Sequence, residues 1–347
     1  ITPPLSLIIA AHNEEAVIGD RLRNALASDY PTDRLQVIVA CDGCMDATES
    51  IVRGFVVDGG PVVLLSLPRR GKLHAIEEAV RHATGAILVF SDANTMCDRG
   101  ALRALARNFA DPEVGGVAGH TSYRISPGSE ASSRGERLYW QYDTWLKRLE
   151  SLSGSVVSAH GGLYAIRRTL FRTPEDTAVT DDFGISTAVI DQGYRLVFDE
   201  DARATELTAP TARQEFRRRV RLMTRGLRGV LLRRRLLNPF RSGFYAVVLF
   251  SHKVARRLVP LPLIVLAVSS VYLADSHPFY FAAAVAQAAF YAVAAAGWAL
   301  RGARIGAAKA VYIPFYYCLA NVASALALVQ LARGQRIERW EPQRQVR

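Results

Sequence analysis

Three long runs almost free of charge close this chain, at Leu258–Asp275, Phe279–Leu300 and Val311–Ala332. The last two hold about 22 residues each, roughly 33 Å as helix, against a hydrocarbon core of about 30 Å. A soluble core rarely takes three such runs in succession, so they predict membrane helices. The first is shorter and opens with Pro260 and Pro262. Just before them, Arg213–Arg241 carries eleven arginines against the single acid Glu215, most of a net charge of +11. Basic residues flanking spans belong on the cytoplasmic side, and each contributes ~1 kcal/mol near an anionic leaflet. The chain therefore divides into residues 1–210, basic interfacial helices over 211–257, transmembrane helices over 258–335 and a basic tail over 336–347. Because the charge abuts the apolar runs, a nucleic-acid partner is excluded as its reason. The same rule favours a cytoplasmic loop at Arg301–Lys309. Three spans then put the tail outside, so either one run is re-entrant or the tail is an exception. The chain opens with Ile1 rather than Met, and residues upstream of it are expected.

Residues 1–210 alternate strand and helix patterns. Leu5–Ala11, Leu35–Cys41, Val62–Leu67, Ala86–Phe90 and Val114–His120 are short apolar runs. Helical spacing covers Glu14–Ser28, Asp46–Val57, Lys72–Ala83 and Arg99–Phe109. A βαβα series predicts an α/β fold with a mostly parallel sheet and helices on both faces. Half the residues are hydrophobic and only four are Cys, which excludes a disordered chain or a disulfide scaffold. Cys41 and Cys44 form a C-x-x-C with no second pair to complete a zinc site, and the cysteines are taken as reduced and incidental.

In such sheets ligands sit at the carboxyl ends of the strands. There the sequence places His12-Asn13-Glu14-Glu15, then Asp42-Gly43-Cys44-Met45-Asp46, then Arg69-Arg70-Gly71-Lys72, then Ser91-Asp92-Ala93-Asn94. Neither a G-x-G-x-x-G nor a Walker A sequence follows the first strand, which disfavours a dehydrogenase or a P-loop ATPase. Carboxylates repel a phosphate unless a divalent cation lies between them, yet they accept hydrogen bonds from a base or ribose. A metal-bridged nucleotide diphosphate satisfies both demands. Asp92 and Asn94, two apart, suit Mg²⁺ or Mn²⁺, or alternatively a helix cap. Lys72 opens a helix behind Gly71, where ammonium and helix N-terminus both favour anions.

The set AHNEE (11–15), CDGCMDAT (41–48), RGK (70–72), SDANT (91–95), TDDF (180–183) and QEFRR (214–218) resembles glycosyltransferase family 2. The likeness is to its membrane-anchored branch of cellulose, hyaluronan and poly-N-acetylglucosamine synthases, and it extends to SHKVARRLVPLP (251–262). The resemblance implies a GT-A nucleotide-sugar domain in which Ala11, His12, Glu14 and Asp42 hold the nucleoside of a UDP-sugar. It places Asp92 on diphosphate and metal with Asn94 where the family has a second acid, and Lys72 near the phosphates. Asp182 becomes the general base that takes the acceptor hydroxyl's proton, with Asp181 as its neighbour, and a single base with in-line attack implies inversion. Gln214 and Arg217 would face the departing diphosphate. His160, Gly161 and Gly162 would line an acceptor loop, and Arg218 stands where the family stacks the acceptor on Trp. That departure weighs against a processive synthase. The expectation is thus a multi-pass cell (inner) membrane enzyme with a cytoplasmic catalytic domain, using a lipid-linked or polysaccharide acceptor. The rivals are a processive exopolysaccharide synthase and a non-catalytic nucleotide-sugar-binding scaffold.

Overall fold

The computed structural model describes residues 1–125, 133–174, 176, 178–208, 212–300 and 308–335. Strand β1 (Leu5–Ala11) is buried throughout and pairs in parallel with β2 (Leu35–Asp42) and β4 (Ile87–Asp92), while β3 (Val62–Leu67) flanks β2. Strands covered on both faces have no polar side, which is why they read as continuous apolar runs. Alternate residues serve opposite cores. Ile9 and Val37 pack with α1 (Ile18–Leu26), α2 (Thr48–Arg53) and, beyond β5 (Thr95–Cys97), α4 (Ala101–Arg107). Ile8 and Ile38 pack with α3 (Lys72–His82) and, later in the chain, α6 (Asp181–Asp191).

Beyond β4 the sheet becomes mixed. Its eight strands run in the order β3-β2-β1-β4-β7-β6-β8-β5. Strand β7 (Tyr164–Arg167) inserts antiparallel between β4 and β6 (Val114–Ile125), and β8 (Arg195–Thr208) lies parallel to β6. Between β6 and β7 runs the long helix α5 (Ser133–Leu152).

Two helices start later than the periodicity predicts, for local reasons. Asn13 takes a left-handed φ of +54°, a conformation that asparagine tolerates better than most residues, so α1 begins only at Ile18. Asp46 stays outside α2, where its carboxylate accepts the Thr48 N–H at 3.0 Å and holds the turn before the helix.

The basic segment forms α7 (Ala212–Leu232), which joins a third core. There Phe183 and Val179 meet Val230, Leu236, Tyr245 and Leu249. After α8 (Pro239–Ser242) and α9 (Phe244–Leu249), a π-helical turn at Phe250–Ala255 leads through α10 (Arg256–Leu258) into α11 (Pro260–Tyr272). The bend between the two halves is 44°, where Pro260 and Pro262 interrupt the backbone hydrogen bonds. Helices α12 (Pro278–Ala299) and α13 (Lys309–Ala332) are long and apolar enough to cross a membrane, and the bent pair would make a third span if counted as one. Residues 301–307 and 336–347, which include most of the expected loop and the tail, lie outside the described residues.

Several arginines of the basic segment also reach back to the α/β half. Arg225 donates to the Val179 carbonyl at 2.7 Å, and Arg228 pairs with Asp176 at 2.6 Å. Arg233, Arg235 and Arg241 all reach Asp191, at 3.5, 3.2 and 3.3 Å. Five of the eleven therefore grip the α/β half, because acids at 176 and 191 fold against them.

Candidate active site

The carboxyl ends of β1, β2 and β4 lie side by side, and the loops leaving them interlock. The His12 ring is fixed on both nitrogens: Nδ1 donates to the Asp42 carbonyl at 2.7 Å, and Nε2 accepts from Asn13 Nδ2 at 3.2 Å. Asn13 also accepts the Met45 N–H at 2.7 Å, and the Glu14 N–H donates to Thr48 Oγ1 at 2.8 Å. Ala11 is fully buried at the end of β1. The Asp42 side chain is fully buried too and accepts from Arg69 Nη1 at 2.6 Å and from the N–H groups of Arg70 and Gly71 at 2.7 and 2.9 Å. Both its oxygens thus shape the turn ahead of Lys72, a role the sequence alone did not disclose. Gly43 faces this turn with φ +61°, and a Cβ there would lie 2.7 Å from Arg69 Cβ, so only glycine fits.

Lys72 bridges two carboxylates, Asp92 Oδ1 at 2.7 Å and Asp181 Oδ2 at 2.8 Å. Burial alone would lower its pKa, but Asp181 and Asp92 outweigh burial and hold it charged well above the ordinary lysine value. Asp181 and Asp182 open α6 behind Thr180. Burial works to raise both, and their surroundings then separate them. Lys72, with Arg225 behind it, holds Asp181 below the usual carboxylate range. Asp182 is pushed up by burial and by the adjacent Asp181 charge. Neighbouring acids driven apart in this way are what acid–base chemistry requires.

Residues 160–162, the expected acceptor loop, arrive through the sheet. Because β7 pairs antiparallel with β4, with Phe90 opposite Tyr164, the preceding residues 160–162 run beside Ser91, whose Oγ donates to the Gly162 carbonyl at 2.9 Å. A Cβ on Gly161 would lie 3.5 Å from Asp92 Oδ2 and 3.7 Å from Asp182 Oδ2. Gly161 therefore fills the gap between the strand-end acid and the helix-start acid. The Gly162 N–H donates to His160 Nδ1 at 3.3 Å. Buried Glu206 and Thr121 stand behind Gly162, and Tyr164, its hydroxyl buried, stacks on Phe90 at 4.8 Å. Glu206 and Tyr164 carried no signal in sequence, since they belong to the antiparallel side of the sheet. Gln214, Arg217 and Arg218 fall in the first turns of α7, and their side chains lie outside the described residues.

The donor set can be tested against a divalent cation. Among the described residues no three His, Cys, Asp or Glu side chains gather as a closed metal site. Asp92, its side chain 34% exposed and one oxygen held by Lys72, ends β4 two residues ahead of Asn94, which lies in the turn before β5. That is an open, oxygen-only set. It fits Mg²⁺ or Mn²⁺, which are held by one or two carboxylates plus phosphate oxygens rather than by a protein cage.

Comparison with known proteins agrees with this architecture. The family model described as glycosyltransferase like family 2 matches residues 3–229. The poly-beta-1,6-N-acetyl-D-glucosamine synthase of Staphylococcus aureus (strain COL) is 25% identical over 236 residues, covering 66% of this chain and 56% of the relative. The synthase of the same name from Staphylococcus epidermidis is 24% identical over the same length. The chain thus spans little more than half the length of these relatives. Among solved structures, the mannosyltransferase PcManGT from Pyrobaculum calidifontis, in complex with GDP-Man and Mn²⁺, superposes with a TM-score of 0.66 at 24% identity. The match covers 97% of this chain and 89% of that one, a likeness of fold that includes the C-terminal helices.

Proposed function

The chain belongs to glycosyltransferase-like family 2, and from that premise we propose that it is a membrane-bound inverting glycosyltransferase. It moves a sugar from a nucleotide sugar, with a UDP-sugar as the leading donor, to a hydroxyl of a lipid-linked or polysaccharide acceptor. One observation carries the reading: Asp92, Gly161 and Asp182 meet around one gap, where burial and the Asp181 charge push Asp182 up while Lys72 holds Asp181 down.

Each residue then has a task. The Ala11–Glu14 loop and Asp42 frame the nucleoside edge, and Asp42 does so by shaping the turn before Lys72. Lys72 keeps Asp92 and Asp181 apart and neutralised while an anionic donor approaches. Asp182 takes the proton of the acceptor hydroxyl as it attacks the anomeric carbon opposite the leaving diphosphate, which inverts that centre. Gln214 and Arg217 serve the departing diphosphate and Arg218 the acceptor. Asp92 and Asn94 would hold Mg²⁺ or Mn²⁺, which supplies charge neutralisation for the diphosphate. The apolar helices anchor the enzyme in the cell membrane with the catalytic half on the cytoplasmic, Arg-rich side.

The test is the full chain in nanodiscs with a panel of UDP- and GDP-sugars and Mg²⁺ or Mn²⁺. Asp182→Asn should lower transfer by about 10²–10⁴-fold while nucleotide affinity stays. No nucleotide binding by the wild type, or full activity of Asp182→Asn, overturns the reading. The similarity to poly-N-acetylglucosamine synthases favours a second reading, processive synthesis. A ladder or high polymer on a gel, against a single addition, separates the two.

A further inference from the structure

Cys41 and Cys44 have no part in the chemistry above, yet the fold brings their thiols together at the nucleoside edge. Cys41 lies near the end of β2, fully buried on the face that packs with α1 and α2. Gly43, with φ +61°, turns the chain back, and its N–H donates to the Cys41 carbonyl at 3.2 Å. Cys44 therefore returns to the face that Cys41 occupies and packs, part-exposed, against the same core. Its Sγ donates to the Ala11 carbonyl at 3.7 Å, and Ala11 stands directly beside Cys41 in the β1–β2 register. The two thiols also meet each other. Hydrogen bonding with Cys41 holds Cys44 below the ordinary cysteine value, while the same contact and burial push Cys41 above it. The more exposed sulfur is thus the readier nucleophile. Among the described residues no group of three His, Cys, Asp or Glu forms a metal site here.

The turn between these sulfurs also holds the frame of the candidate site. The Asp42 carbonyl receives His12 Nδ1 at 2.7 Å, and its carboxylate receives the Arg70 and Gly71 N–H groups at 2.7 and 2.9 Å. The Met45 N–H donates to Asn13 at 2.7 Å. We propose that Cys41 and Cys44 are a reversible oxidation site, which a small disulfide of the glutathione type converts to an internal disulfide that weakens nucleotide binding. The Cys44 thiolate attacks one sulfur of the small disulfide and releases a thiolate, leaving a mixed disulfide. Cys41 gives its proton to that thiolate and attacks the Cys44 sulfur, releasing the second small thiolate. Two protein thiols are oxidised to one disulfide, and the small disulfide leaves as two reduced molecules. An S–S bond of about 2.05 Å takes Cys44 off the Ala11 carbonyl and tightens the Asp42–Gly43 turn. The contacts from residues 42 and 45 to His12, Asn13 and Arg70 then shift together. The effect on nucleotide rests on the glycosyltransferase reading; the disulfide itself does not.

The test is the full chain in nanodiscs, incubated with oxidised glutathione and then split for two measurements. Trypsin should release Leu35–Arg53, which holds both cysteines and neither Cys97 nor Cys318. Its mass should show the internal disulfide, two hydrogen atoms lighter than the dithiol. Affinity for UDP or GDP should fall about tenfold, the worth of one charge-assisted hydrogen bond, and dithiothreitol should restore it. Cys44→Ser keeps a donor for the Ala11 carbonyl, so it should bind nucleotide normally and ignore the oxidant, whereas Cys97→Ser should respond like wild type. A peptide that stays reduced, or stops at the mixed disulfide, overturns the proposal. So does an internal disulfide that leaves affinity unchanged, or a loss of affinity that persists in Cys44→Ser. If the reduced wild type binds neither nucleotide, the glycosyltransferase reading fails, and the peptide mass still decides whether the oxidation site exists.

Discussion

Replacing Gly161 by Ala and, separately, Gly162 by Ala adds the same methyl group at neighbouring positions, and the two variants should fail in opposite ways. At Gly161 the new carbon meets Asp92 Oδ2 at 3.5 Å and Asp182 Oδ2 at 3.7 Å, ordinary contact distances, and the backbone there is not left-handed. The fold should tolerate it, with ~0.4–1 kcal/mol gained from the stiffer unfolded chain. At Gly162 the carbon overlaps Glu206 Oε1 and lies 2.8 and 2.9 Å from Thr121 Cγ2 and Oγ1. Both neighbours are buried, at 6% and 7% exposure, so they have little room to move. Overpacking of this kind costs about 1–3 kcal/mol, and a unit of this size loses about 2–4 °C of Tm per kcal/mol. Melting in detergent should therefore fall by about 2–12 °C for Gly162→Ala and hold or rise by a few degrees for Gly161→Ala. Activity separates them again. The Gly161 methyl fills the gap in which acceptor and base must meet, so kcat/KM should fall at least about tenfold, ~1.4 kcal/mol, in a protein that melts like wild type. A fully active Gly161→Ala would refute the placing of the reaction between Asp92 and Asp182. A Gly162→Ala variant as stable as wild type would refute the packing around Glu206.

Three further outcomes follow from the same contacts. Asp42→Ala removes the acceptor of the Arg70 and Gly71 N–H groups and the partly exposed Arg69 ion pair, so nucleotide affinity should fall, with about 1–3 kcal/mol of stability lost; nucleotide titration and melting of one sample check both. Chelation of divalent ions should abolish transfer, restored by Mn²⁺ or Mg²⁺, while the melting temperature without nucleotide changes little, because the oxygen set at Asp92 and Asn94 is open. A fragment ending at Thr208 should be inactive and should bind a hydrophobic dye, since it exposes Phe183, Val179 and Val157, which pack on Val230, Leu236 and Tyr245; a compact, active fragment would contradict that core.

The parallel half of the fold was legible in sequence because β1, β2 and β4 are covered on both faces, so their apolar runs and the polar residues ending them stand out. Asp42, Asp92 and Lys72 stood out as candidates for the same reason, whereas Asp181 and Asp182 came only from the family resemblance. What was not legible depended on pairing across long separations. Glu206 stands opposite Thr95 in the β5–β8 register, and nothing near position 206 advertises that neighbour. Gly161 reaches Asp92 only because β7 turns antiparallel into the sheet. Asp42 looked like a base-binding acid, whereas its buried carboxylate is also the mould for the Arg69–Gly71 turn. Composition also concealed that five of the arginines are tied to the α/β half, since a run of like charge does not reveal the opposing groups until they are placed in three dimensions.

Those arginines explain why the catalytic and membrane-proximal parts cannot be separated cleanly. Helix α6 carries Asp181 and Asp182 at its start, and the segment before it is held by Arg225 on Val179 and Arg228 on Asp176. At its far end Asp191 draws Arg233, Arg235 and Arg241, and Arg233 also donates to the Gly184 carbonyl at 3.0 Å. One carboxylate cannot neutralise three guanidiniums, so a surplus of positive charge remains at that corner, which on the proposed function would face anionic headgroups. On that reading the same side chains set the axis of the helix that carries the proposed base and meet the bilayer. A shift of α7 against the membrane would rotate α6, and a displacement of about 1 Å at Asp182 is enough to cost two orders of magnitude in rate. On the proposed function, basic residues in this stretch are therefore under two constraints at once, and the geometry of the proposed base would depend on how the chain enters the lipid.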